Sequence, residues 1–168
     1  VSKPHARLED HDRGWGSVFK RVKNAGKGRV KVGVLADTPQ GGAHEEGSPL
    51  TVAEIAAVLH FGTSDGHIPP RPFLAMAFDQ NREELAKMGA RFMAEVLFGD
   101  MTEDRALGLM GAKLSAEAKK TITIGNQLTP NAPATVAAKG SDRPLVDTGR
   151  LLNAITWMIA KEDSGHGH

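Results

Sequence analysis

The sequence predicts an α+β domain in which a small antiparallel sheet packs on a long antiparallel helical hairpin, with extended loops between. Three observations carry that expectation. Two apolar stripes at helical spacing, from Phe73 to Val96 and from Leu107 to Ala118, are separated by a short turn at Gly99-Asp100. Two segments instead alternate with period two: Val30, Val32 and Val34 around Lys31 and Gly33, and Ile155, Trp157 and Ile159 around Thr156 and Met158. The 19 glycines and 9 prolines cluster between the periodic segments, which makes several connections long.

Residues 1–11 show no periodicity and are expected to form a flexible N-terminal arm before a single domain over 12–160. Trp15, Val18, Phe19 and Val22 then fall at i, i+3, i+4 and i+7, with Lys20, Arg21 and Lys23 at other positions of the turn. This is an amphipathic helix, closed near Gly26 and Gly28, and the valine strand follows it. Residues 37–49 hold Thr-Pro, Gly-Gly and Ser-Pro and are expected to be an exposed, mobile loop.

Thr51 and Glu54 match a capping box, so a helix starts there with Val52, Ile55, Ala56 and Leu59 as its buried stripe. Gly62 is expected to end it in the left-handed conformation, with Phe61 turning inward. Pro69, Pro70 and Pro72 stiffen the next turn and hold Arg71 on an ordered backbone, where pairing with a carboxylate of a neighbouring subunit would cost little entropy.

Phe73, Leu74, Phe78, Leu85, Met88, Phe92 and Val96 line the first long helix, which ends at Gly99-Asp100. The second runs from Thr102 to about Thr121, lined by Leu107, Met110, Leu114 and Ala118, with Glu103 and Asp104 at its start complementing the macrodipole. Residues 125–144 form a loop long enough to be functional or to be ordered by a partner. A short helical turn over 148–153 leads into the tryptophan strand, and 161–168 are expected to be a disordered tail.

The chemistry that the sequence excludes is broad. With no cysteine among its 168 residues, the chain has no disulfide, thiolate zinc site or cysteine nucleophile. No apolar run reaches the roughly 20 residues of a membrane span, and there is no secretory leader pattern, so the expectation is a protein made in a cytoplasm. The seven histidines lack metal-ligand spacing: His44-Glu45-Glu46 has no second histidine, and His60 and His67 straddle a glycine break. Ser17 and Lys20 match a serine-lysine spacing that an amphipathic turn already explains, and Gly26-Lys27-Gly28 lacks the remainder of a phosphate loop. The expectation is no enzyme, no catalytic residue, no metal and no cofactor.

Two stretches taken together resemble the neck and tail-completion proteins of tailed bacteriophages, the virion morphogenesis or minor tail component family. They are TVAEIAAVLHFGTSDGHIPPRPFLAMAFDQN and, later, PLVDTGRLLNAITWMI, which cover 31 and 16 residues in the family's order. The Asp65-Gly66-His67 loop before Ile68 is longer than usual for that family. The resemblance implies a small α+β structural protein of the virion, made in the host cytoplasm, without enzymatic activity. It would form a homo-oligomeric ring of six or twelve copies at the head-tail junction, completing or terminating the tail and meeting a connector or adaptor and tail-tube or sheath proteins.

Carried over residue by residue, Phe61, Gly62, Arg71, Pro72 and Phe73 match the first motif, and Asp147, Thr148, Gly149, Arg150 and Leu151 the second. Phe61, Phe73 and Leu151 are read as core and the two glycines as backbone geometry. Asp147 is read as the cap of a short helix and Arg150 as the partner of a carboxylate in its own subunit. The proline-arginine-proline turn becomes a rigid corner, and the loops at 37–49 and 125–144 the partner contacts.

Charge suggests an alternative. Residues 1–31 hold nine Lys/Arg against three Asp/Glu, whereas residues 32–110 hold five against twelve. The asymmetry suits head-to-tail contact between like subunits. It also suits a small basic nucleic-acid-binding module using Lys20, Arg21, Lys23 and Lys27, together with Arg29 and Lys31, in non-specific contact with DNA.

Overall fold

The computed structural model describes residues 15–42, 49–124, 128–130, 137 and 149–161 and has the α+β architecture that the periodicities predict. The expected arm at 1–11 and most of 125–144 lie outside the described residues. In chain order the elements are α1 (Trp15–Asn24), β1 (Gly28–Val34), α2 (Val52–Phe61), α3 (Phe73–Phe98), α4 (Glu103–Ile124), α5 (Arg150–Ala154) and β2 (Ile155–Lys161).

The two long helices pack antiparallel across the Gly99-Asp100 turn. A Cβ at Gly89 would stand 3.5 Å from Met110 Cε, and Lys113 Nζ lies 2.9 Å from Glu84 Oε1, so later residues of α4 face earlier residues of α3. β1 and β2 pair antiparallel with Val30 opposite Ile159, Val32 opposite Trp157 and Val34 opposite Ile155. That set of valines faces the helices, while Arg29 and Lys31 on the alternate positions are exposed.

The sheet lies on the side of α4 that the expected stripe of Leu107, Met110, Leu114 and Ala118 marks in part: Ala118 is fully buried and Leu107 adjoins Gly28 of β1, but Leu107, Met110 and Leu114 are only half-buried. The other buried residues of the helix are Ala106, Gly111, Ser115 and Ile122. The closest contact is made at glycines. A methyl group at Gly111 would stand 2.7 Å from Val30 Cγ2 and 2.8 Å from Trp157 Cγ, and one at Gly108 would stand 3.1 Å from Trp157 Cη2. Trp157 therefore lies flat against a strip without side chains, a contact that apolar periodicity does not register.

The buried core gathers at one end of the hairpin, where α3 begins and α4 finishes. Ala56, Phe73, Ala77, Ala118, Ile122, Leu128, Leu151 and Ile155 form one cluster, with Val34, Leu59, Leu74, Met76, Leu114 and Leu152 packed around it. At the other end α1 crosses near the hairpin turn, tied there by Arg21 Nη1 donating to the Gly99 carbonyl at 2.6 Å. Glu103 reinforces the tie: its Oε1 accepts from the amides of Gly26 at 3.0 Å and Gly28 at 3.2 Å. The expected apolar face of α1 is thinly covered, since Phe19 and Val22 are 69% and 52% exposed. Phe78, expected in the α3 stripe, is also exposed, with the Arg82 guanidinium 5.6 Å from its ring centre.

The expectation of a wholly mobile loop over 37–49 needs correction. Its described first part is hydrogen-bonded, with Gly41 and Gly42 amides donating to the Thr38 carbonyl and the Gly42 and Gly41 carbonyls accepting from the amides of Val52 and Ala53. Gly41 is buried, and a Cβ there would collide with the Leu35 carbonyl. The turn thus serves as an extra cap for the first turn of α2.

Candidate assembly surfaces

The corner between α2 and α3 is built from backbone geometry outward. Thr51 and Glu54 form both halves of the capping box: the Glu54 amide donates to Thr51 Oγ1 at 3.2 Å, and Glu54 Oε2 accepts from the Thr51 amide at 2.8 Å. Those bonds hold the Glu54 carboxyl below its ordinary pKa. At the other end Gly62 closes the helix with its amide on the Val58 carbonyl.

Gly62 is at φ 75°, ψ −179°, a region open in practice only to glycine, and not the left-handed helical conformation expected from sequence. The packing requires glycine too, because a Cβ would stand 2.7 Å from the Ile68 carbonyl oxygen. The following loop is closed on itself. The Thr63 amide donates to the Ile68 carbonyl at 3.0 Å, the Ile68 amide donates to Thr63 Oγ1 at 2.9 Å, and Asp65 accepts from the Thr63 hydroxyl and the His67 amide. The extra length of this loop is thereby absorbed into a compact turn.

Arg71 is the largest correction at this corner. The sequence reading offers it to a carboxylate on a neighbouring subunit, but it is 5% exposed. Its Nε donates to the Thr129 carbonyl at 2.8 Å and its Nη2 to the Pro130 carbonyl at 3.0 Å, while its amide donates to the Leu59 carbonyl at 3.0 Å. A guanidinium fork thus fastens segment 128–130 of the same chain to the α2–α3 corner, with Leu128 buried in the core beside it. Within the expected 125–144 loop, segment 128–130 is therefore anchored to the core through Leu128, with Thr129 and Pro130 exposed.

The two motif stretches meet through Phe73 and Leu151, which share the core cluster although 78 positions separate them. Phe73 is fully buried, and Pro72 is exposed at the start of α3. Phe61, expected to turn inward, is 76% exposed. The inward place is taken by its neighbour His60, whose ring meets Phe73 edge-on at 5.3 Å and Phe61 at 4.7 Å. His60 Nδ1 is buried without a hydrogen-bond partner, and burial lowers the imidazole pKa.

In the second motif Gly149 takes the left-handed conformation at φ 69°, ψ −7°, ahead of α5. Arg150 is exposed, and Asp147 and Thr148 lie outside the described residues. Of the basic residues, Lys20, Arg21, Lys23 and Lys27 are all exposed, and Arg21 donates through Nη1 to the Gly99 carbonyl at the end of α3.

Large apolar side chains are exposed at both ends of the hairpin. Val22 of α1, Phe19 beside it and Phe98, 72% exposed, stand at the turn end. Phe61 and Ile124, the latter 60% exposed, stand at the packed end. Sequence reasoning did not single out Phe98 and Ile124 and turned Phe61 inward, because each is the last residue of a helix, where periodicity no longer says which side is covered. Among the described residues no three His, Asp or Glu side chains converge as a metal site would need, and no helix is long and apolar enough to cross a membrane.

The fold and these surfaces define a small α+β protein whose largest buried side chains gather at one end of the hairpin and whose helix ends are apolar. No protein-family model, no curated protein and no solved structure matches the chain.

Proposed function

We propose that this chain is a structural virion subunit of a tailed bacteriophage, forming a ring at the head-tail junction that completes or terminates the tail. The observation that carries the reading is the exposure of large apolar side chains at two unlike ends, Val22 and Phe98 at one and Phe61 and Ile124 at the other. Such surface is costly on a solitary protein and is removed from water when subunits associate, at about 25 cal/mol per Å². Unlike apolar ends are what heterologous, head-to-tail contacts need, and such contacts close into rings. The resemblance of the two motif stretches to neck and tail-completion proteins supplies the biological setting. In this reading the chain is no enzyme and needs no cofactor: Gly62, Arg71 and Phe73 build the rigid corner and the exposed helix ends meet the partners.

Mass photometry of the purified chain, alone and mixed with its connector and tail-tube neighbours, tests the proposal. The expected result is a discrete ring of six or twelve copies, closed when imaged by electron cryomicroscopy. A chain that stays monomeric in every mixture sinks the reading.

A further inference from the structure

The two ends of the sheet fix where its backbone groups point. The Gly28 amide donates to Glu103 Oε1 at 3.2 Å and the Ile155 amide to the Leu151 carbonyl, so neither donates across to the other strand. Gly28 lies opposite Lys161, and Val34, an even number of positions further along β1, lies opposite Ile155. Opposed residues of an antiparallel pair alternate between exchanging both hydrogen bonds and exchanging none. The ladder bonds therefore fall at Arg29, Lys31 and Gly33, paired with Ala160, Met158 and Thr156. Val30 and Val32 of β1, and Trp157 and Ile159 of β2, turn their amides and carbonyls to the outer edges of the sheet while their side chains face α4.

Among the described residues nothing bonds to either edge at these four positions. All four residues stay half-buried although their side chains face a helix, because a sheet of two strands leaves its margins open. Bare edges invite pairing with another chain, and proteins that avoid it place charge, proline or a bulge there. β2 has none of these from Ile155 to Ala160: its residues are neutral and its register with β1 is unbroken.

We propose that the free edge of β2 pairs with the free edge of β1 in the next copy of this chain, so that one sheet runs from subunit to subunit. The inference rests on the ring reading and adds a backbone contact to it. The two edges match in length: Trp157 and Ile159 are open on one, Val30 and Val32 on the other, and each edge is closed beyond them, by Glu103 at Gly28 and by Leu151 at Ile155. An antiparallel junction sets Trp157 beside Val32 of the next copy and Ile159 beside Val30 of the next copy, each pair exchanging both bonds. Like edges fit less well. Two β1 edges paired through Val30 and Val32 would set the exposed Lys31 directly against Lys31 of the other copy. Two β2 edges would leave both β1 edges bare, whereas the unlike pairing repeated around a closed ring leaves no edge open.

Hydrogen exchange resolved to single amides by fragmentation mass spectrometry, on the full chain diluted to monomers and in its assembled form, tests the inference. The amides of Val30, Val32, Trp157 and Ile159 are expected to exchange more slowly in the assembly by about tenfold or more, while those of Lys31 and Met158 are protected in both states. A closed ring in which the four amides exchange as they do in the monomer overturns the inference and leaves the ring reading standing. Slowing at Trp157 and Ile159 alone also overturns it, in favour of paired β2 edges. Protection of all four in an open filament upholds the edge pairing and overturns the ring. A chain that stays monomeric in every mixture overturns both.

Discussion

The two ends of the helical hairpin solve different problems. At the end where α3 starts, elements far apart in sequence converge: α2, segment 128–130, α5 and β2 all send side chains to Phe73, Ile122 and Ile155, the three large residues that are fully buried. At the turn end, α1 is held by polar ties, from Arg21 to Gly99 and from Glu103 to Gly26 and Gly28, while Phe98 and Val22 stay exposed. Val96 and Ala106 are buried near the turn, but the largest fully buried side chains gather at the other end. The motif residues lie at the packed end, where Arg71, Phe73 and Leu151 are buried while Phe61 and Pro72 stay exposed.

The largest effect belongs to the packed end. Phe73→Ala removes a fully buried ring that touches His60 and is expected to cost about 3–5 kcal/mol in unfolding free energy, read from the urea midpoint at constant slope. A cost below about 1 kcal/mol would show that the site collapses around the cavity, and the contrast between the ends would lose its basis.

How much of this was readable in the sequence differs element by element, for physical reasons. The capping box of Thr51 and Glu54, the alternation in both strands and the break at Gly99 are local signals, and they lie where expected. Side-chain destinations that depend on distant partners were not readable. Arg71 gave no sign that its partners would be carbonyls 58 and 59 positions away. Phe61 and His60 are adjacent, and which of them turns inward is decided by where Phe73 arrives. The closest contact of the sheet with α4 escaped because glycines make it, through the absence of side chains at Gly108 and Gly111. At the assembly surface even less was legible, since exposure at a helix end depends on what fails to cover it.

A second variant sharpens the contrast from the open end. Phe98→Ser with Val22→Ser removes two exposed apolar side chains, so the unfolding free energy of the isolated chain should change by about 0.5 kcal/mol or less. The mass distribution should shift toward monomer if this end carries subunit contacts. Ring assembly that survives the double change would move the contact to Phe61 and Ile124. A stability loss comparable to that of Phe73→Ala would mean that the open end belongs to the core after all.

The smallest effect is a dependence on pH, and it too should be confined to one end. Burial lowers the His60 pKa below its ordinary 6.5, and Nδ1 has no hydrogen-bond partner to offset that. Above pH 6.5 the imidazole is neutral in folded and unfolded chains alike, and stability does not respond to it. Below 6.5 the unfolded chain takes up a proton that the folded one resists, so stability falls with pH and levels off once the folded pKa is passed. Glu54 and Asp65, whose carboxyls are held below their ordinary values of 4.5 and 3.8, lose their contribution only in a separate, more acidic window. Unfolding midpoints measured from pH 7.5 downward should therefore show a first step beginning near 6.5 that His60→Gln removes. Hydrogen exchange should localise the loosening to α2 and segment 128–130, leaving α1 and the hairpin turn unchanged. A first step that persists in His60→Gln would assign it to another group, and loosening at the turn end would show that the two ends are not separate.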